Sequence, residues 1–240
     1  MSKRFRQRGA QKVKKFKSLQ EVAERAFQKG APRERVIDGE KHPVRIRTTP
    51  VMWGIPTDEL GFSKFWTHFL RHANIMPWDG FSLSEGTYLE KARNQIHKGF
   101  VSGSKMPLLM MLDSDILFPP LLVETLIAHK LPIVGGWYRD KKAEDHHPAI
   151  YDFVEDGEDG VAVFRHRKVP GEGLERVDAM GAGCWLMTRE TAEALGEEPY
   201  GKNIAGGGED MKLCRRLMEL NIPLHVDWSL NCAHMGTGYY

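Results

Sequence analysis

The fold is decided by the stretch Leu108-Leu109-Met110-Met111-Leu112-Asp113-Ser114-Asp115. Five consecutive apolar residues are typical of a strand that is buried on both faces of a parallel sheet. Two carboxylates, Asp113 and Asp115, follow where this strand ends, and open α/β sheets bind their ligands at the carboxyl ends of the strands. The stretch therefore predicts a core strand that opens directly into a polar site.

The residues that follow complete a strand, loop, helix and strand unit. Pro119 and Pro120 suit the first turn of a helix, because the leading amides of a helix have no internal partners. The residues at helical spacing after them are Leu122, Thr125, Leu126 and His129. A second short strand is predicted at Ile133-Val134, closed by Gly135-Gly136. Such units build parallel sheets with helices on their faces, so the sequence predicts an α/β fold.

The flanking segments extend the predicted sheet. The alternation in 44–48 predicts its first strand, which would place Thr49 at a carboxyl end where a nucleotide could be held. Segments 149–154, 161–165 and 174–179 predict a small antiparallel patch. A helix from Glu209 to Leu220 and a last strand at 224–230 follow. We therefore expect a mixed, mostly parallel central sheet, flanked by helices, in one catalytic domain spanning 43–240.

The bulk composition is that of an ordinary soluble protein. The chain has 240 residues, of which 41% are hydrophobic and 28% charged, with a net charge of +2. No apolar run approaches the ~20 residues that span a bilayer, and the first residues do not resemble a signal peptide. We expect no membrane insertion and a cytoplasmic location, which is the host cytoplasm if a phage encodes the protein. Cys184, Cys214 and Cys232 are odd in number and widely spaced, which predicts core thiols rather than disulfides or a zinc site.

The first 42 residues form a predicted appendage in two parts. Residues 1–17 carry eight basic side chains, from Lys3 to Lys17, and no acidic one. Such a block is typical of a disordered, solvated arm, but it would also attract phosphate backbones or anionic lipid. Residues 18–42 are predicted to be a helical extension, because Ser18 and Glu21 have capping-box spacing and an apolar helical face follows.

Four further positions have a structural and a functional reading. Arg93 borders the inward face of a predicted helix, so it needs either an internal carboxylate or a substrate phosphate. Asp210 heads the apolar face of the last helix behind three glycines. It either stabilises the helix terminus or is a reactive group aimed into a cleft, and we favour the cleft. Trp137, with Tyr138 beside it, suits either stacking on a ligand or the core. Gly183, in Gly181-Ala182-Gly183, permits close approach of a ligand or of another chain segment, or a tight turn.

Together these residues suggest a chemistry. Asp113, Asp115 and His234 offer oxygen ligands and one imidazole, a set that suits Mn²⁺ or Mg²⁺ bound together with a diphosphate. The metal would neutralise charge on a departing diphosphate, and Asp210 could take a proton from an attacking hydroxyl. The pattern predicts transfer of a group from a nucleotide diphosphate to an alcohol.

The order of these motifs resembles the GT-A-fold (nucleotide-diphospho-sugar transferase) glycosyltransferases, especially the family-2-like enzymes of phages and bacteria. The matching pieces are Leu108 to Asp115 with Phe118-Pro119-Pro120, Ala92-Arg93-Asn94, Ile133 to Tyr138, Asp178 to Gly183, and Gly207-Gly208-Glu209-Asp210. The resemblance implies that Asp113 contacts the ribose or the metal shell and that Asp115 and His234 bind the metal. It also implies that Asp210 is the base of an inverting reaction and that Glu209 holds the donor or acceptor sugar. Related retaining enzymes have a similar loop.

The donor and acceptor follow from the resemblance less directly. Arg93, Thr49, Trp137 and Gly183 complete the expected nucleotide-sugar site, for which a UDP-sugar is favoured. The early nucleotide-binding motif of the family is not clear at 48–52, which leaves the base open. One acceptor hypothesis is a hydroxymethylated base in phage DNA held by the basic arm, and glycan or protein acceptors fit equally well. The competing hypotheses are a sugar nucleotidyltransferase, for which 48–54 lacks the glycine-rich signature, and a non-catalytic carbohydrate- or nucleic-acid-binding protein.

Overall fold

The structure is a computed structural model that describes residues 34–37, 39–43, 47–57, 63–84, 88–140, 146–157, 161–201 and 208–235. The predicted basic arm and the helix predicted from Ser18 lie outside these residues. The described part of the predicted helical extension is not helical. It forms an antiparallel pair of short strands, β1 (Glu34–Ile37) and β2 (Glu40–Pro43).

The remaining elements alternate strands and helices up to the strand Leu108–Leu112, and a run of six consecutive strands, from Ile133–Trp137 to Cys184–Thr188, follows further along the chain. In order they are β3 (Val51–Pro56), α1 (Ser63–His72), β4 (Gly80–Ser84), α2 (Leu89–Gly103), β5 (Leu108–Leu112), β6 (Ile116–Leu117), α3 (Leu122–Ala128), β7 (Ile133–Trp137), β8 (Ile150–Asp156), β9 (Ala162–His166), β10 (Leu174–Val177), β11 (Ala179–Met180), β12 (Cys184–Thr188), α4 (Arg189–Leu195), α5 (Glu209–Glu219), β13 (Leu224–Asn231) and β14 (Ala233–His234). None of the helices in the described residues is long and apolar enough to cross a membrane.

The central sheet has seven strands in the order β10-β13-β7-β12-β5-β3-β4. Strands β3, β4, β5, β7 and β13 run in one direction, whereas β10 and β12 run against them. A second, three-stranded antiparallel sheet has the order β11-β8-β9. The predicted fold class, a mixed and mostly parallel α/β sheet with a small antiparallel patch, is therefore confirmed.

Strand β5 is the centre of the core because its two faces are both covered. Leu109 and Met111 pack with α2, α4 and α5 on one side of the sheet, and Met110 and Leu112 pack with α1 and α3 on the other. All four side chains are fully buried. This two-sided burial is the physical reason that the strand reads as an uninterrupted apolar run. The three cysteines are buried free thiols, as predicted.

Of the first strand predicted at 44–48, residues 44–46 lie outside the described part of the chain, and 47 and 48 are not in a strand. Strand β3 covers 51–56, and every residue in it is buried because it lies between β4 and β5. Thr49 therefore precedes the amino end of a strand, away from the carboxyl ends. Its carbonyl oxygen accepts a hydrogen bond from the Arg47 guanidinium at 2.7 Å. The nucleotide-binding role expected for Thr49 rested on a position at a carboxyl end, whereas Thr49 lies just before the amino end of β3.

The glycines expected to close the second strand instead belong to it. A Cβ at Gly135 would lie 2.5 Å from the carbonyl oxygen of Cys184, and one at Gly136 would lie 2.9 Å from that of Leu230. Glycine at both positions lets the backbones of β12 and β13 approach β7 closely. The strand continues to Trp137 and carries the chain to the edge where the polar residues gather.

Candidate active site

The polar residues meet at one edge of the central sheet. The carboxyl ends of β5, β7 and β13 lie there, together with the amino end of β12, since Cys184 pairs with Leu112 across the two strands. The backbone N–H of Asp113 donates to the carbonyl oxygen of Gly183 at 2.9 Å. The loop after β5 and the turn before β12 are thereby joined.

Arg93, on α2, holds two of the candidate carboxylates together. Its Nη2 donates to both carboxylate oxygens of Asp113, at 2.8 Å and 2.6 Å, and its Nη1 pairs with Glu209. Burial disfavours the charged guanidinium, but Asp113, Glu209 and Asp210 together keep the pKa of Arg93 above its usual value. Its side chain is 2% exposed. Of the two readings of Arg93, the geometry therefore favours the internal salt bridge over a phosphate contact.

Asp113 is the most constrained of the carboxylates. Burial raises its pKa, the charge of Arg93 lowers it, and the charge of Asp115 raises it again, with a net shift upward. Both of its oxygens accept hydrogen bonds from Arg93. In this arrangement Asp113 anchors Arg93, and direct ligation of a metal ion would compete with that ion pair.

Asp115 and His234 form a second pair. The Nε2 atom of His234 lies 3.3 Å from Oδ2 of Asp115, and the two segments are joined because β14 pairs with β6 and the N–H of Met235 donates to the carbonyl of Asp115. The Nδ1 atom of His234 lies 3.0 Å from the carbonyl oxygen of Arg139, which can only accept, so Nδ1 carries the hydrogen and the lone pair of a neutral ring is on Nε2.

This second pair has the geometry of two adjacent metal ligands. Neighbouring ligands of an octahedral ion with bonds of about 2.1 Å are separated by about 3.0 Å, close to the separation of these two atoms. No group of three or more His, Cys, Asp or Glu side chains suited to a metal ion occurs in the part of the chain that the structure describes. The structure thus brings Asp115 and His234 together, whereas both carboxylate oxygens of Asp113 accept hydrogen bonds from Arg93.

Asp210 stands at the head of α5 next to this edge. Its Oδ2 accepts a hydrogen bond from the backbone N–H of Ala182 at 3.3 Å. Burial, followed by the charge of Glu209, raises the pKa of Asp210 to about 6, against the opposing effect of Arg93. A carboxylate with a pKa close to neutrality is suited to accept a proton during a reaction.

The structure separates the two neighbouring aromatic residues at the end of β7. Trp137 packs in the core against Trp228, with ring centroids 5.5 Å apart, and its Nε1–H donates to the carbonyl oxygen of Trp228 at 2.9 Å. Tyr138 points to the site, where its hydroxyl accepts from the N–H of Gly183 at 3.0 Å and its ring contacts His234 edge-on. Adjacent residues of an extended chain face opposite ways, which would have allowed only one of them to reach a ligand. Sequence reasoning considered both residues and chose Trp137 for the expected donor site, whereas Trp137 lies in the core and the Tyr138 hydroxyl contacts Gly183.

The glycine of the expected donor site is explained by other protein atoms. A Cβ added to Gly183 would lie 2.9 Å from the Tyr138 hydroxyl and 3.0 Å from Oδ2 of Asp113. Of the readings given for Gly181-Ala182-Gly183, the structure favours close approach of other chain segments.

Comparisons with known proteins concern the fold. No family model matches the chain, and no curated protein matches it. Protein A197 from STIV has 16% sequence identity and a TM-score of 0.56, over 79% of this chain and 86% of that one. GalNAc-T7, solved with UDP, GalNAc and Mn²⁺, has 14% identity and a TM-score of 0.54, over 78% of this chain and 44% of that one. A CMP:2-keto-3-deoxy-manno-octonic acid synthetase complexed with CTP has a TM-score of only 0.41, too low to support an argument. The chain therefore has a mixed α/β, GT-A-like fold.

Proposed function

We propose that this protein is a metal-dependent glycosyltransferase that moves a sugar from a nucleotide-diphosphate sugar to a hydroxyl acceptor, with inversion at the anomeric carbon. The observation that carries the proposal is the placement of Asp210, whose pKa is raised to about 6, at the same sheet edge as the Asp115 and His234 pair. A base and a cation site on one edge match the two needs of the reaction, which are a deprotonated acceptor and a stabilised leaving group.

Each residue of the site has a separate role in the proposed reaction. Asp115 and His234 would hold Mn²⁺ or Mg²⁺, and the bound ion would supply charge neutralisation for the departing diphosphate. Asp210 accepts the proton of the attacking hydroxyl. Arg93 acts through its ion pairs with Asp113 and with Glu209, the residue that precedes the base. GalNAc-T7, which shares the fold, was solved with UDP and Mn²⁺, which supports a UDP-sugar donor.

A panel of nucleotide sugars tests the proposal. Purified protein with Mn²⁺ should release nucleoside diphosphate from one of them, and chelation of the metal should stop the release. Asp115→Asn should lower this activity at least tenfold and weaken the dependence on Mn²⁺, because a neutral amide is a poorer ligand for a hard cation. Asp210→Asn should lower transfer to the acceptor about a hundredfold or more, within the range of general-base effects.

Matched controls and alternative outcomes make this test decisive. Asp156→Asn removes an exposed carboxylate that pairs with Arg215, outside the candidate site, and should leave turnover unchanged. Full activity of a folded Asp115→Asn variant would contradict the metal assignment. Release of pyrophosphate from a nucleoside triphosphate and a sugar phosphate would instead identify a nucleotidyltransferase. Binding of sugars or nucleic acid without any turnover would identify a non-catalytic protein.

The acceptor is a further part of the proposal. A hydroxymethylated base in DNA supplies the hydroxyl that the reaction needs, and the basic residues from Lys3 to Lys17 are suited to hold the phosphate backbone. Glycan and protein acceptors lack a comparable polyanionic backbone in general. A duplex with hydroxymethylated bases, assayed beside an unmodified duplex and a simple sugar acceptor, would decide between them.

A further inference from the structure

The turn Gly181-Ala182-Gly183 has each of its backbone N–H groups bonded to a different part of the chain. Gly181 donates to the carbonyl of Ala149 at 2.8 Å, Ala182 donates to the Asp210 carboxylate at 3.3 Å, and Gly183 donates to the Tyr138 hydroxyl at 3.0 Å. The carbonyl oxygen of Gly183 also accepts from the N–H of Asp113, at 2.9 Å. This one turn therefore links Asp113 to Asp210.

Two of these four bonds involve side chains, and one of the two is made by Tyr138. The tyrosine is 7% exposed and Gly183 is buried, so water has little access to replace the bond if the hydroxyl is lost. Only glycine fits beside this hydroxyl at both positions, since a Cβ at Gly181 would lie 2.2 Å from it and one at Gly183 would lie 2.9 Å from it. The close fit indicates that the hydroxyl sets the position of the turn.

We propose that the Tyr138 hydroxyl is a positioning group for Asp210. The hydroxyl accepts a hydrogen bond from the amide of Gly183 and so fixes the turn. The amide of Ala182, one residue earlier in the same turn, donates to the Asp210 carboxylate. The catalytic consequence rests on the proposed function, in which Asp210 is the base. Tyr138 itself acts through the turn and touches no reacting atom.

The substitution Tyr138→Phe removes a single oxygen atom and keeps the ring that packs on His234. We expect kcat for sugar transfer to fall about tenfold to a hundredfold, the range that follows from leaving a buried amide without a partner. The KM for the nucleotide sugar should stay within about threefold, because Asp115 and His234 are unchanged. The acid limb of the pH profile should also move, since the amide that stabilises ionised Asp210 is displaced.

Tyr200→Phe is the matched control. Tyr200 is buried like Tyr138, and its hydroxyl makes no hydrogen bond to the turn, to Asp113 or to Asp210 in the part of the chain that the structure describes. If the loss in Tyr138→Phe arose merely from removing a buried hydroxyl, the control would show a similar fall in kcat. We expect the control to stay within about twofold of the wild type.

A measurement that needs no turnover tests the same contact. In the wild type the Ala182 amide resonance should shift with pH as Asp210 ionises, and Asp210→Asn should abolish that shift. Tyr138→Phe should reduce its amplitude. An unchanged Ala182 titration together with unchanged kcat in Tyr138→Phe would overturn the proposal.

Two further outcomes keep this test separate from that of the proposed function. If no nucleotide sugar is turned over by the wild type, the proposed function fails, and the Ala182 titration alone decides the role of Tyr138. If Tyr138→Phe does not fold, amide exchange in the wild type decides instead. Protection of the Gly183 amide comparable to that of the sheet amides supports the bond, and exchange as fast as in an exposed loop rejects it.

Discussion

The carboxyl group of Asp210 links reactivity to stability. Burial and the charge of Glu209 raise its pKa to about 6 in the folded protein, above the ~3.9 of an unfolded chain. The folded state therefore binds this proton more tightly, and the contribution of Asp210 to the free energy of unfolding falls as the pH rises from about 4 to about 6. The nearby charge of Arg93 lowers the pKa of Asp210. The charge of Asp210 in turn raises the pKa of Tyr151, Tyr138 and Cys214.

Replacement of Asp210 by Asn should therefore stabilise the protein in a pH-dependent way. The amide oxygen can still accept from Ala182 but has no charge to bury. We expect a gain of about 1–2 kcal/mol in the free energy of unfolding near pH 8 and a much smaller gain near pH 4. Urea unfolding at the two pH values measures it, with Asp156→Asn as the exposed control. An equal gain at both pH values would show that ionisation of Asp210 costs the fold nothing.

Arg93 illustrates what could be predicted at a single position. The helical period placed it on the inward face of α2, and its burial demanded an anionic partner. One of its partners, Glu209, lies 116 residues away along the chain. The choice between that carboxylate and a substrate phosphate depends on which segments the fold brings together, and local spacing contains no information on it.

At the scale of elements, prediction succeeded where a segment has one dominant pattern. The apolar run of β5 and the helical stripe of α5 were both predictable, because complete burial and one-sided burial leave distinct periodicities. Strand β3 was missed because its six buried residues include Gly54 and end in Pro56, two residues that are depleted in strands. Its position between two parallel neighbours overrides those preferences.

Gly54 makes this packing testable. A Cβ there would lie 2.4 Å from Cγ2 of Ile96 and 3.2 Å from Cδ1 of Leu109, so Gly54→Ala would press β3 against α2. We expect a loss of about 1–3 kcal/mol in the free energy of unfolding, as for other overpacked cores.

The matched control is Gly103→Ala, at the end of α2, where a Cβ meets nothing within 4 Å. Alanine there should be neutral or stabilise by up to about 1 kcal/mol. Thermal or urea unfolding compares the two, and equal stabilities would contradict the close contact of β3 with α2.

At the scale of the molecule, the site is assembled from segments that are far apart in sequence. The rule that ligands bind at the carboxyl ends of the strands predicted that Asp113 and Asp115 follow a core strand at such an end, and His234 lies beside Asp115 there. It could not predict that Arg93 would bind both oxygens of Asp113, or which of Trp137 and Tyr138 would face this edge. Those outcomes depend on side-chain directions and ion pairs that only the packed structure specifies.

The positive charge of the chain is concentrated in its first 17 residues, and the remainder is acidic. The first 17 residues hold eight of the 34 Lys and Arg residues and none of the 32 Asp and Glu residues. The other 223 residues therefore carry 26 basic and 32 acidic side chains, a formal net charge of −6. An acidic remainder repels a polyanion on average, so attraction to DNA would have to come largely from the arm.

Removal of residues 2–17 should therefore weaken DNA binding and flatten its salt dependence. Each phosphate neutralised by the arm contributes about −0.9 to the slope of log K against log salt, so the slope should become shallower by several units. Binding to a hydroxymethylated duplex, titrated by fluorescence anisotropy at several salt concentrations, measures both effects. A full-length variant with the eight basic residues changed to Gln tests whether charge or chain length is responsible. Its DNA affinity and salt slope should equal those of the truncated protein. Release of nucleotide from the donor alone should be unaffected in both. A slope equal to that of the wild type would show that the arm does not bind DNA. The proposed DNA acceptor would then lose its main support.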